Sequence, residues 1–258
     1  MSLLSAALLG IVEGITEFLP VSSTGHLILA EKLFGIPVTD AVKTFDIVIQ
    51  LGAIAAALVV YWGTLASSKR VVGLVLAAFL PTAVLGAMLH HTVKSHLLDP
   101  SVVAVSLFVG GLILIGFELW HREEFATTDT VHAITFRKAI LIGVVQTLAV
   151  IPGTSRSAAT IVGGMMLGIR RGAIVDFSFL LAIPTMAGAT ALDLYKSAEA
   201  FTWNEAVTIA VGFVVSFVSA YLAIHWLLRY VRSHTFIPFG IYRIALALFF
   251  WFFILKKP

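Results

Sequence analysis

Long, almost charge-free apolar runs recur along this chain of 258 residues and constrain its fold more than any other feature. A run of roughly 18 or more apolar residues can cross a bilayer as a helix. Only 12% of the residues are charged and 59% are hydrophobic, whereas an ordinary soluble domain has about 25% charged residues. The sequence therefore predicts an all-α integral membrane protein. Six transmembrane helices are predicted, at 40–62, 71–90, 102–120, 172–195, 205–228 and 236–255.

Four shorter apolar pieces form two pairs, and each pair is interrupted by a proline, Pro20 in the first and Pro152 in the second. Proline removes a helix hydrogen bond and clashes with the preceding turn. Each pair is therefore predicted to be a broken re-entrant helix pair, whose exposed backbone must be surrounded by protein or line a polar cavity. The pieces are 3–19 and 22–35 in the first pair, and 137–151 and 155–168 in the second.

The chain also repeats itself. The segment 10–24 is similar to the segment 143–157, at a spacing of 133 positions, and the same spacing relates Gly35 to Gly168. A period of about half the chain indicates a single membrane domain over 1–258 with two homologous halves, about 1–133 and 134–258. Three spans in each half make the second half start on the opposite face, so we expect an inverted repeat that brings the broken helices together near the bilayer midplane.

Loop charges predict the orientation of the chain. Nine basic residues fall on one predicted face, which should be cytoplasmic. This arrangement puts the first broken pair on the outer side and the second on the inner side. The nine are Lys69, Arg70, Arg122, Arg137, Lys138, Arg170, Arg171, Arg229 and Arg232, against Lys32, Lys94, Lys196, Lys256 and Lys257 on the other face.

Ionisable groups stand out inside the broken pairs: Glu13, Glu17 and His26 in the first, and Arg156 in the second. Each costs roughly 2.5–3.5 kcal/mol to insert, so each is a functional candidate. Glu13 and Glu17 are four residues apart and share one helix face. They could instead seal the interior by pairing with a basic residue, but two stacked carboxylates beside a Ser-Ser-Thr-Gly-His segment favour chemistry.

Both breaks have the form of a helix that restarts after a proline, in the segments 20–26 and 152–157. Helix N-termini present free N–H groups that suit phosphate, and Arg156 can add a two-pronged donor. The plainer alternative is that the serines only cap the new helices. Because the carboxylates would repel a bare pyrophosphate, a bridging divalent cation such as Mg²⁺ is expected.

These two segments resemble the signature motifs of the undecaprenyl pyrophosphate phosphatases, also called bacitracin-resistance proteins. The similarity extends over essentially the whole chain, with Ala158 standing where that family commonly has glycine. It implies an enzyme of the bacterial inner membrane that hydrolyses undecaprenyl pyrophosphate to the monophosphate. It also implies an active site facing the outer side and a requirement for a divalent cation, Mg²⁺ or Ca²⁺. The expected partners are the polyprenyl pyrophosphate lipid and the bilayer, with a homodimer left open and no nucleic acid.

The motif residues and the resemblance together define the predicted site. Three schemes for attack on phosphorus stay open: Ser23 with His26 as its base, which we favour, His26 directly, or a water activated by Glu17. The predicted residues are Glu17, Ser23, His26 and Arg156 for catalysis, Ser22, Thr24, Thr154, Ser155, Ser157 and Thr160 for substrate binding, and Glu13 and Glu17 for the metal.

Two other classes of function were weighed. Inverted repeats with broken helices also occur in secondary transporters, so the alternative is a polyprenyl-lipid flippase that cleaves nothing. A pure carrier, however, has no need of a nucleophile. A second superfamily of membrane phosphatases carries a nucleophilic histidine shortly after a Ser-Arg pair, and no histidine lies between His132 and His225.

Overall fold

A computed structural model describes residues 1–37, 39–92, 99–196 and 203–255. Lys94, Lys256 and Lys257, which were counted in predicting the orientation, lie outside the described residues. The described part is built from α-helices, which are α1 Leu3–Thr16, α2 Ser23–Leu33, α3 Asp40–Ser67, α4 Lys69–Thr92, α5 Pro100–Trp120, α6 Phe136–Gln146, α7 Arg156–Met166, α8 Arg171–Lys196, α9 Trp203–Tyr230 and α10 Ile237–Phe250.

Five of these helices, α3, α4, α5, α8 and α9, are long and apolar enough to cross a membrane. Each covers one of the predicted spans and extends it by a few residues at one or both ends. The sixth prediction corresponds to α10, which continues as a π-helical turn over Trp251–Leu255 and is shorter than the other five. The all-helical membrane fold is confirmed, and within the described residues five helices meet the length of a span.

Both predicted breaks occur. The helices α1 and α2 have 14 and 11 residues, and α6 and α7 have 11 each. At 1.5 Å per residue the longest of them reaches about 21 Å, which is short of a hydrocarbon core about 30 Å thick. Neither member of a pair can therefore span alone, as expected for helices that stop inside the membrane.

Matched positions in the two halves share a positive φ. Ser22 has φ 71° and Ser155 has φ 70°, while Gly35 and Gly168 have φ 67° and 74°. Left-handed backbone is uncommon for residues other than glycine, and the two serines are the only such residues in the described part of the chain. The spacing of 133 positions found in the sequence therefore links positions with matching backbone conformation.

Glycines let the short helices pack tightly against spans of the opposite half. On α1, a Cβ atom at Gly10 would lie 2.6 Å from the carbonyl oxygen of Gly212 on α9. On α6, a Cβ atom at Gly143 would lie 2.0 Å from the carbonyl oxygen of Ala78 on α4. Such distances leave no room for a side chain, so the first helix of each pair is held against the other half and the two breaks face each other.

Candidate active site

Arg243 joins the two breaks. Its side chain is fully buried, and one terminal nitrogen donates to the carbonyl oxygens of Pro20 and Thr154 at 3.2 and 3.0 Å. The other terminal nitrogen donates to the carbonyls of Gly153 and Ser106 at 2.9 and 3.1 Å. Because proline breaks leave backbone carbonyls without helix partners, one guanidinium can satisfy groups from both breaks and fix their distance.

A cavity of about 140 Å³ lies where the breaks meet. It has a polar side, formed by the restarted helices, and an apolar side. Its lining residues are Glu17, Ser22, Ser23, Thr24, Gln50, Ala149, Ile151, Pro152, Gly153, Ser155, Arg156 and Met186.

Glu17 is the centre of this cavity's polar side. One carboxylate oxygen accepts a hydrogen bond of 2.6 Å from the hydroxyl of Ser23. The other oxygen accepts one of 3.1 Å from Arg156, and this ion pair is almost entirely buried. A carboxylate that accepts a hydrogen bond from a serine hydroxyl at this distance is placed to take the proton when the serine attacks.

Arg156 comes from the second half and is held on three sides. It donates to the backbone oxygen of Ser178 at 2.7 Å, pairs with Glu17, and lies over the ring of Phe18 at 5.8 Å. Its Nε atom is buried and has no hydrogen-bond partner among the described residues. An unpaired buried donor is costly, so this N–H group is suited to an anion entering the cavity.

His26 points away from Ser23. Its Nδ1 atom lies 2.7 Å from the carbonyl oxygen of Ser22, and its Nε2 atom lies 2.7 Å from the hydroxyl of Tyr242. A carbonyl only accepts, so Nδ1 carries the proton and the Nε2 atom of a neutral ring accepts from Tyr242. The favoured scheme, in which His26 takes the proton from Ser23, needs a contact that these side chains do not make; Glu17 makes it instead.

Glu13 lies one turn from Glu17 and is completely buried. Neither of its carboxylate oxygens has a hydrogen-bond partner among the described residues. Glu13 does not line the cavity itself, whereas Glu17, one turn further along α1, does. Two orphaned carboxylate oxygens next to Glu17 fit a divalent cation, because Mg²⁺ is commonly bound by one or two carboxylates together with substrate phosphates. Within the described part of the chain no three acidic or histidine side chains form a ready-made metal cage.

The predicted substrate-binding residues divide into two groups. Ser22, Thr24 and Ser155 line the cavity, whereas Thr154, Ser157 and Thr160 do not. The hydroxyl of Ser157 donates to the carbonyl oxygen of Phe18 at 2.8 Å, and that of Thr160 donates to Gln146 and to its own helix. The helix period explains the division, since positions 157 and 160 face the packed side of α7.

The site predicted from the sequence does not include Gln50, Arg243, Tyr242 or Met186. The structure puts Gln50 and Met186 in the cavity wall, Tyr242 on His26 and Arg243 between the breaks. The signal for Gln50 and Arg243 was present, since both are polar residues in apolar helices. Tyr242 and Met186 are ordinary residues for a membrane helix and carry no such signal.

Comparison with known proteins gives consistent matches. The sequence model of the family described as "Bacitracin resistance protein BacA" matches residues 6–249. A protein of Sulfurihydrogenibium sp. (strain YO3AOP1), named undecaprenyl-diphosphatase, is 47% identical over 251 residues, covering 97% of this chain and 99% of the relative. Proteins of the same name from Aquifex aeolicus (strain VF5) and Persephonella marina (strain DSM 14350 / EX-H1) are 47% and 46% identical, over 94% and 99% of this chain and 95% and 100% of their own lengths.

Proposed function

Because the chain belongs to the family of the bacitracin resistance protein BacA, we propose that it is an undecaprenyl-diphosphatase. It hydrolyses undecaprenyl pyrophosphate to undecaprenyl phosphate and inorganic phosphate, which recycles the carrier lipid of the cell envelope and confers resistance to bacitracin. The main observation that supports this chemistry is a pair of hydrogen bonds at the buried Glu17 carboxylate. One oxygen accepts from the hydroxyl of Ser23, and the other accepts from Arg156.

In the first step the hydroxyl oxygen of Ser23 attacks the terminal phosphorus while its proton passes to Glu17 across the 2.6 Å hydrogen bond. The bond between the terminal phosphorus and the bridging oxygen breaks, and undecaprenyl phosphate leaves with the bridging oxygen. The terminal phosphoryl group is then bonded to Ser23. In the second step water attacks the phosphorus of this phosphoserine and the bond from phosphorus to the Ser23 oxygen breaks. Glu17 returns its proton to the Ser23 oxygen, and the phosphoryl group leaves with the water oxygen as inorganic phosphate.

Charge on the transferring phosphoryl group is held by donors that are already in place. Arg156 lines the cavity, and its buried Nε–H group has no partner among the described residues. The side chain of Ser22 makes no capping bond at the start of α2, so first-turn N–H groups of this helix are available to an anion. Donors fixed before the reaction stabilise the transition state without reorganising during it.

His26 has a positioning role in this scheme. Through Nδ1 it holds the carbonyl of Ser22, the residue with left-handed backbone that immediately precedes Ser23. Tyr242 stacks on the imidazole with ring centroids 5.5 Å apart and also bonds to it. Together they support the bend that aims Ser23 at Glu17.

We propose that a divalent cation, Mg²⁺ or Ca²⁺, takes part, held by Glu13 and by Glu17. When bound there it would neutralise the pyrophosphate charge next to the two carboxylates. The unpaired oxygens of Glu13 support this proposal.

We propose a bacterial inner-membrane location with the site open to the outer face. The support is the set of contacts among basic loops at one end: Arg70 donates to the carbonyl of His132, Lys138 to Thr128, and Arg171 to Glu118. These loops therefore share one face, and a face rich in Lys and Arg is typically cytoplasmic.

The test is phosphate release by the purified protein from undecaprenyl pyrophosphate. Ser23→Ala should lose most of the rate, and Glu17→Gln should lose about 10²–10⁴-fold, the usual contribution of a general base. Ser216→Ala is the matched control, because Ser216 is fully buried but bonds to the carbonyl of Ile49, away from the cavity. It should keep near-normal turnover. A chelator should abolish activity, and Mg²⁺ or Ca²⁺ should restore it.

Rapid acid quenching separates the three modes of attack. An acid-stable phosphoenzyme that is absent in Ser23→Ala supports the scheme above. An acid-labile, base-stable phosphoenzyme would indicate that His26 is the attacking group. Inversion at phosphorus with no trapped species would mean direct attack by water with Glu17 as base. Movement of the lipid to the opposite leaflet with no release of inorganic phosphate would overturn the enzyme assignment and favour the flippase.

A further inference from the structure

A second cavity of about 340 Å³ opens directly beside the first one. Ala149 and Arg156 line both cavities, so the two cavities are adjacent and share these two residues in their walls. The second cavity runs between α4 and α8 and over the turn that follows α6. It therefore begins where the phosphate donors end.

The lining of this groove is apolar and made largely of small residues. Gly86 and Ala83 on α4 face Gly188 and Ala189 on α8, and the ring of Phe79 closes one side. Small side chains on the two helices leave this space open between them.

Apart from Arg156 at its inner end, the polar side chains of the groove are already paired with one another or with backbone carbonyls. The amide nitrogen of Gln146 donates to the hydroxyls of Thr82 and Thr185 at 2.9 and 3.3 Å. Those hydroxyls donate to backbone carbonyls of Gly143 and Leu181. A ligand in the groove is consequently offered hydrocarbon contact and little hydrogen bonding, unlike a ligand in the first cavity.

We propose that this groove between α4 and α8, defined by Phe79, Ala83, Gly86, Gly188 and Ala189, binds the first isoprene units of the lipid substrate. The inference rests on the proposed function, because a polyprenyl pyrophosphate joins a charged head to a branched hydrocarbon tail. Two adjacent cavities, one polar and one apolar, that share Arg156 in their walls match that division of the molecule. The groove is then what gives the site its preference for prenyl over other pyrophosphates.

The test fills the groove without disturbing the fold. Nothing lies within 4 Å of a Cβ atom built at Gly86, and leucine is a better helix former than glycine, so Gly86→Leu should fold. Gly116→Leu on α5 is the matched control, since Gly116 has equally open surroundings and does not line the groove. Phosphate release is measured with undecaprenyl pyrophosphate and with dimethylallyl pyrophosphate, which has a single isoprene unit.

The quantity compared is kcat/KM for undecaprenyl pyrophosphate divided by kcat/KM for dimethylallyl pyrophosphate. In Gly86→Leu we expect this ratio to fall at least about tenfold, which is the scale of a misfitted group in a hydrophobic pocket. The loss should appear mainly in KM, because the reacting groups are untouched. The control should keep the ratio of the unmodified protein.

An unchanged ratio in Gly86→Leu, with both substrates hydrolysed, would overturn the groove assignment and leave the enzyme assignment standing. A third variant, Ala41→Leu, fills a separate cavity at the start of α3. A fall of the ratio in this variant alone would also overturn the groove assignment and leave the enzyme assignment standing. Absence of phosphate release from either substrate by the unmodified protein would instead sink the proposed function itself.

Discussion

Two buried arginines show how hydrogen-bond partners decide a residue's role. Arg243 donates all its hydrogen bonds to backbone carbonyls and has no acidic partner among its bonds. Arg156 bonds to a carboxylate, and its Nε–H group has no partner in the described part of the chain. The first arginine is therefore saturated and structural, whereas the second has a donor left for a ligand.

The distinction predicts the effect of a conservative change. Arg156→Lys keeps the charge but loses the planar fork, so it can no longer hold Glu17, Ser178 and a phosphate oxygen together. We expect turnover to fall by about 10²–10³, the cost of losing one preorganised donor to a transition state. Steady-state phosphate release is the measurement.

Arg122→Lys is the control for this substitution. The side chain of Arg122 is 73% exposed, and its ion pair with Glu124 is long, at 3.8 Å. The Arg122→Lys variant should therefore have the activity of the unmodified protein. If Arg156→Lys turned over at the rate of Arg122→Lys, the anion-binding role of Arg156 would be rejected.

At the scale of elements, the site depends on short helices that are stable only through their neighbours. Helices of 11 to 14 residues are marginal alone, and those that end within the bilayer leave backbone groups to be satisfied by protein. The glycine contacts of α1 with α9 and of α6 with α4 supply the close packing. The position of Ser23 and Arg156 is thus set by helix contacts made elsewhere.

This dependence predicts opposite signs for two glycine substitutions. Gly143→Ala places a methyl group 2.0 Å from the carbonyl oxygen of Ala78, and such overpacking typically destabilises by about 1–3 kcal/mol. Gly63→Ala has open surroundings and should be neutral or stabilising by up to about 1 kcal/mol, because alanine is the better helix former. The Tm in detergent is the measurement, and equal values for both variants would contradict the packing argument.

At the scale of the whole molecule, the charge distribution predicts which face of the membrane each loop occupies. The structure brings the loop 121–135 against Arg70, through the carbonyl of His132, and against Arg171, through Glu123, so these basic groups lie on one surface. With these loops in the cytoplasm, we expect the proposed active site to open on the opposite face of the membrane. Inversion of the whole chain would put the diphosphate site within reach of the cytoplasm instead.

Labelling of introduced cysteines measures this directly, because the chain has no cysteine of its own. Thr130→Cys and Lys32→Cys change exposed positions; Thr128 is unsuitable because it is only 5% exposed. In intact spheroplasts an impermeant maleimide should label Lys32→Cys, and it should reach Thr130→Cys only after permeabilisation. Labelling of both from the same side would contradict the orientation.

The sequence by itself determined the membrane class, the positions of the spans, the two breaks and the residues whose charge is costly in a bilayer. These are local properties: hydropathy over about 20 residues, a proline that stops a helix, or a carboxylate in an apolar run. Glu13, Glu17, Ser23 and Arg156 could be selected on that basis.

Only the tertiary structure decided which of these groups meet. Ser23 and His26 are three residues apart and are expected to pair on sequence grounds, but Ser23 donates to Glu17 and His26 bonds to Tyr242, 216 positions away. Glu17 meets Arg156 across 139 positions because α1 and α6 each pack on the opposite half. Contacts at such separations depend on helix packing, which local hydropathy and spacing do not encode.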